Sequence, residues 1–135
     1  MVWPAFGLYT WELSGGEPHL LEALQSFCPD GTYGAGGMDG SSCPKQPDWS
    51  PEGRRLLFQS EDVVVSNVDG SGARRLRERC GEGAVCTGGS VPRWSPDGRG
   101  VVFTDTEAGP SWITVMRADG SGARRLAKGF SADWG

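Results

Sequence analysis

Several features that would announce a chemistry are missing from these 135 residues. No run approaches the ~20 consecutive apolar residues that a spanning helix needs, so no membrane span is expected. The opening Met1-Val2-Trp3-Pro4 has no basic segment followed by an apolar one, hence no signal peptide; an exported protein would have lost its targeting segment or belong to a longer parent. There is no contiguous basic tract either. Net charge is −4, and eleven of the thirteen basic residues are arginines scattered through repeated segments, so nucleic acid is not an expected partner. The single histidine, His19, occupies the place that Arg74 and Arg124 hold in related segments, and no neighbouring motif orients it as a base. Ser71 and Ser121 lack the glycine two positions on that a nucleophile elbow requires, having Ala73 and Ala123 there. Cys-x-x-Cys knuckles and phosphate-cradling loops are absent, and Asp30 and Asp39 do not follow calcium-loop spacing. No enzyme activity, metal or cofactor is therefore expected.

What is present is punctuation. Twenty-two glycines, nine prolines and six tryptophans among short apolar runs describe brief strands joined by tight turns, an all-β composition. Trp49-Ser50-Pro51-Glu52-Gly53 returns 45 residues later as Trp94-Ser95-Pro96-Asp97-Gly98. Each copy leads into an apolar run, Leu56-Leu57-Phe58 or Val101-Val102-Phe103. A second pair of runs, 63–68 and 113–118, passes through Asp-Gly-Ser-Gly into Ala-Arg-Arg-Leu. Proline presets φ and glycine accepts the positive φ of such turns, so both motifs predict antiparallel hairpins. A unit is thus four strands, A to D, in a meander, and four-stranded units of 40 to 50 residues are the signature of β-propeller blades.

The Trp-Ser-Pro-Asp-Gly turn, the strand before Asp-Gly-Ser-Gly and the following Arg-Arg-Leu resemble the TolB-like β-propeller repeats of bacteria. The resemblance covers roughly residues 8–22, 46–77 and 91–135, with Glu52 for the usual aspartate, Val64 and Thr114 where tyrosine is common, and Ser14-Gly15-Gly16 in place of the last turn. Residues 46–77 and 91–127 make two blades. Residues 131–135, Ser-Ala-Asp-Trp-Gly, are a third strand A, and residues 1–22 can supply strands B, C and D of that shared blade, with B near residues 2–5. The chain then holds about three blades' worth of strands, circularly permuted, half of a six-bladed ring. Closed propellers use about four to eight blades, so the expected states are a head-to-tail homodimer or part of a longer propeller.

In a propeller the A–B and C–D turns share one face and the remaining connections share the other. Segments 23–46, 78–90 and 104–111 fall on that second face, where binding is expected. The first carries Tyr33, Met38 and Asp39 as candidate contacts, and the last carries Asp105 and Glu107. Segments 23–45 and 78–90 each hold two cysteines. Three pairings are possible, and closing Cys28 to Cys43 and Cys80 to Cys86 staples each loop to itself, worth about 3 and about 2.4 kcal/mol by loop length. Such bonds imply an oxidising, extracytoplasmic compartment, periplasmic, secreted or cell-surface. Trp49, Trp94 and Trp134, one per blade, are expected to fill the gaps between neighbouring sheets as structural residues. By the resemblance, the function is that of a non-enzymatic interaction module holding a protein, peptide or small ligand. The alternatives are a propeller accessory domain of a larger hydrolase, as in prolyl-oligopeptidase-like enzymes, and a purely structural half-ring.

Overall fold

Two four-stranded antiparallel sheets are stacked side by side in the computed structural model, which describes residues 7–27, 43–60, 62–77, 89–106 and 110–135. A short hairpin, β1 (Tyr9–Thr10) and β2 (His19–Leu20), precedes them. The first sheet is β3 (Lys45–Trp49), β4 (Arg55–Ser60), β5 (Asp62–Asn67) and β6 (Arg74–Arg75), paired in chain order. The second is β7 (Gly89–Trp94), β8 (Gly100–Asp105), β9 (Trp112–Arg117) and β10 (Arg124–Lys128), again a plain meander. The four-strand unit expected from the repeat is therefore the unit that forms.

The motifs build these hairpins by local bonding. Arg55 N donates to Ser50 Oγ at 2.9 Å and Gly100 N to Ser95 Oγ at 2.8 Å, so the serine closes the A–B turn in both blades. Gly53 and Gly98 take φ values of 71° and 70°, which glycine adopts freely. In the C–D turns, Ser71 N and Ser71 Oγ both donate to Asp69 Oδ1, at 2.9 and 2.6 Å, and Ser121 repeats this with Asp119. Gly120 also lies hard against the first sheet, since a Cβ there would collide with the Leu76 carbonyl oxygen.

Strand periodicity sorts the core. Leu57, Val63 and Val65 point from the first sheet into the seam, where they join Leu76, Trp94, Val101, Phe103 and Met116. Leu56, Phe58 and Val64 point the other way and pack with Leu8, Leu21 and Leu24. The unbroken runs Leu56-Leu57-Phe58 and Val63-Val64-Val65 are thus apolar on both faces because both faces are covered.

One expectation changes. Residues 17–22 do not continue as strand D: the strand stops at Leu20, and Glu22–Phe27 form a 3-10 helix that buries Leu24 fully and sets Phe27 edge-on to Phe58 at 5.9 Å. A third hydrophobic face would cover Phe58 in a longer blade, and the helix supplies that cover. Residues 131–135 join neither sheet as a strand, and residues 2–5 lie outside the described residues. Among the described residues, no helix is long and apolar enough to cross a membrane.

Candidate functional site

On the turn face, carboxylates are tied into the hairpins and held below the usual carboxylate range. Asp97 is lowered first by the Ser95 hydroxyl, which donates to it at 2.5 Å, and then by the Arg99 N–H. Asp69 and Asp119 are lowered first by the Ser71 and Ser121 hydroxyls, and Glu52 first by its own backbone N–H. A carboxylate with a depressed folded pKa stabilises the fold above its unfolded pKa, and that contribution is lost as pH falls through the folded value. Ser95→Ala is accordingly expected to move the Asp97 titration, followed by side-chain carbon NMR, upward toward the ordinary aspartate value; an unmoved titration would contradict the assignment. The Asp-Gly-Ser-Gly serines are occupied as turn donors.

The connections 23–46, 78–90 and 104–111 are expected on the opposite face, and part of each lies outside the described residues. Tyr33, Met38, Asp39 and Glu107, expected there as contacts, lie outside the described residues, as do Cys28, Cys80 and Cys86. Cys43 is described and is not a free thiol.

Asp105 is the expected contact that the described residues include. It is 2% exposed at the end of β8, with Arg77 Nη1 at 3.4 Å and Arg125 Nη2 at 3.5 Å. Arg77, itself 6% exposed, also forks onto Asp62 of the first sheet, through Nη2 at 2.8 Å and Nε at 3.1 Å, and its guanidinium stacks over Phe103 at 4.6 Å. Desolvated charges demand partners, and here one arginine satisfies carboxylates from two sheets. Asp105 is therefore part of the scaffold beneath the loop face. This ion cluster was not anticipated from sequence, although a signal existed: Asp62, Arg77 and Asp105 align with Trp112, Ala127 and Ser60 in the other repeat, so the charges break the repetition.

The tryptophans also diverge. Trp94 is 5% exposed in the seam, with Arg55 stacked over its ring at 4.5 Å and its backbone N–H donated to Asp48 Oδ2 at 2.7 Å. Trp49 and Trp134 are 51% and 37% exposed, so the expected gap-filling place is taken by one of three. The reason is what lies alongside: a full sheet backs Trp94, whereas only β1 and β2 stand before Trp49. Trp11, His19, Leu21, Trp49 and Asp69 instead border an open groove of about 460 Å³. His19 is exposed on β2, and no cluster of three or more histidine, cysteine or acidic side chains able to hold a metal occurs among the described residues.

Comparison with known proteins bears on this framework. No family model matches the chain. It is 46% identical over 93 residues to the Tol-Pal system protein TolB of Anaeromyxobacter dehalogenans, covering 64% of this chain and 20% of that protein. It is 31% identical over 91 residues to an uncharacterized protein of Agrobacterium fabrum, covering 64% of this chain and 29% of that protein. An uncharacterized peptidase of Bacillus subtilis, YuxL, is 34% identical over 64 residues, 43% of this chain and 9% of its own length. The chain thus spans less than a third of the length of each of these relatives. Among solved structures, a putative TolB from Agrobacterium tumefaciens superposes with a TM-score of 0.64 at 22% identity, over 91% of this chain and 38% of that one. A nidogen/laminin complex gives 0.56 at 20% identity, over 84% and 37%. With both sheets in meander order and stacked along one seam, the fold is that of partial propeller blades of the TolB type.

Proposed function

We propose that this chain is a non-enzymatic, extracytoplasmic interaction module that holds a protein partner on its loop face. The observation that carries this reading is the asymmetry of the two faces. The A–B and C–D turns of the two blades are short and bonded to themselves, while a buried ion cluster fixes the strand ends at Arg77 and Asp105, from which the connections 78–90 and 104–111 depart. Tyr33, Met38, Asp39 and Glu107 are the proposed contacts, and a peptide or small ligand would use the same surface. Cysteine pairs closing 28 to 43 and 80 to 86 would restrain the loops in an oxidising compartment. Similarity to a Tol-Pal system protein, and a fold shared with a chain of a nidogen/laminin complex, support protein binding outside the cytoplasm.

A photo-crosslinking amino acid placed at Tyr33 or at Ser71 tests the face directly. In an envelope extract of the producing cell, a discrete crosslinked band is expected from position 33 and none from position 71. The reverse pattern would overturn the assignment. A second reading, an accessory propeller of a larger hydrolase, is favoured by one observation, the likeness to the peptidase YuxL; an adjoining hydrolase segment in the parent gene would support it.

A further inference from the structure

We propose that the free edge of the second sheet, along β10, takes up an extended acidic segment of a partner protein as an added strand. This surface is separate from the loop face and stands on its own observations. β10 ends the hydrogen-bonded order of its sheet, so among the described residues its second edge has no strand partner, whatever stands beside the two blades.

The first observation is a break in the repetition. Arg74-Arg75-Leu76-Arg77 aligns with Arg124-Arg125-Leu126-Ala127. In the first sheet β6 spans two residues, Leu76 is 5% exposed in the seam, and Arg77 turns inward to Asp62. In the second, β10 spans five residues, all exposed, and Gly129 N prolongs the pairing by donating to the Ser111 carbonyl at 3.0 Å. Ala127 stands where Arg77 turns inward, and there the register slips, between Arg125 and Ala127, leaving Leu126 52% exposed. The A strands are bulged too, between Lys45 and Asp48 and between Ser90 and Arg93, with Gln46 and Val91 at φ values of 53° and 49°. Those two bulges meet across the seam, Val91 N donating to Gln46 Oε1 at 2.9 Å. The bulge of β10 lies on an open edge.

The second observation is charge. The chain carries a net −4, yet no acidic residue occurs from 120 to 132, where Arg124, Arg125 and Lys128 stand. Arg124 pairs with Val115 and Lys128 with Trp112, three residues apart on β9, so the cations bracket the edge from both faces of the sheet. Arg125 and Lys128 lie over the Trp112 ring, at 5.5 and 5.6 Å from its centroid, which holds them beside the edge. Arg125 shares the buried Asp105 with Arg77, whereas neither Arg124 nor Lys128 has an ion-pair partner among the described residues.

Bulges and edge charges keep a sheet edge from pairing with a copy of itself. Like charges repel, and the same charges favour a strand of opposite sign. In strand addition the main chain supplies affinity and the side chains selectivity. Carboxylates of the added strand would face Arg124 and Lys128, and an apolar residue between them would cover Leu126. Phe130, 77% exposed two residues beyond β10, extends that apolar contact.

Titration of the full chain with the end-capped peptide Glu-Glu-Thr-Leu-Thr-Glu-Glu, followed by amide NMR, is the test. Saturable shifts confined to β9 and residues 124–130 are expected, with slowed amide exchange along β10. Arg124→Glu combined with Lys128→Glu, both at exposed positions, is expected to weaken binding about tenfold at unchanged far-ultraviolet dichroism. Arg74→Glu, on β6, is expected to leave it alone. The same peptide N-methylated at alternate residues keeps the charges but loses main-chain donors, and is expected to bind far more weakly. Absence of saturable shifts, shifts centred on the Asp-Gly-Ser-Gly turns, indifference to the double variant, or equal binding of the N-methylated peptide would each overturn the proposal.

Discussion

Arg77→Met is expected to destabilise the fold by about 3–5 kcal/mol, read as a lowered urea midpoint at neutral pH, because it removes the one guanidinium that two buried carboxylates share. Asp62 and Asp105 are 1% and 2% exposed, and Arg77 is the group they share. Arg125, with a side chain 43% exposed, reaches Asp105 at 3.5 Å from the outer strand and cannot serve Asp62. Arg77→Lys is expected to recover only part of the loss, since an ammonium cannot fork onto Asp62 through Nε and Nη2 while a third nitrogen faces Asp105. The exposed neighbour Arg74 on β6 provides the control: its alanine variant should shift stability by less than about 0.5 kcal/mol. Equal effects at 74 and 77 would mean that the cluster is a surface ion pair. Because the two carboxylates come from different sheets, the same loss would loosen the seam and the roots of the connections above it.

Trp94→Ala is expected to cost a comparable amount, about 3–5 kcal/mol, as for other buried aromatics. Among the described residues its indole nitrogen has no hydrogen-bond partner, and the ring packs with Leu57, Val65, Val101 and Met116 beneath the Arg55 guanidinium. Trp49→Ala, at the equivalent position of the preceding blade, is expected to cost under about 1 kcal/mol in dilute single chains, where half of the ring already faces water. Nearly identical motifs would then have unlike energies, set by the neighbour rather than by the local sequence. Thermal unfolding of both variants at low micromolar concentration decides it, and equal losses would contradict the packing described.

That contrast marks what the sequence makes legible. Strand order and turn chemistry are local matters: Ser50 and Ser95 close their own hairpins, and Asp69 and Asp119 bind serines two residues away, so the repeat alone predicts them. Burial of a given tryptophan is not local, because it depends on whether a complete sheet stands alongside. Nor is the Asp62–Arg77 contact, which joins residues 15 apart, or the further link to Asp105 in the other sheet. The bulge at Val91 runs against what a β-branched residue prefers and only a comparison of the three aligned copies could have raised it. The 3-10 helix over Glu22–Phe27 carries no cap or proline signal and forms because Phe58 and Val64 need cover on their far side.

Nuclear Overhauser contacts across the seam test most directly whether the two repeats stand as radial neighbours. The stacked arrangement requires contacts from the Trp94 indole to the Arg55 side chain, whose guanidinium lies 4.5 Å from the ring centroid, and from the Gly120 α-protons to Leu76, against whose carbonyl that glycine is packed. Finding both sets of contacts would establish the seam in solution. If the Trp94 ring instead showed contacts only within its own sheet, and Gly120 none to Leu76, the repeats would not be neighbouring blades.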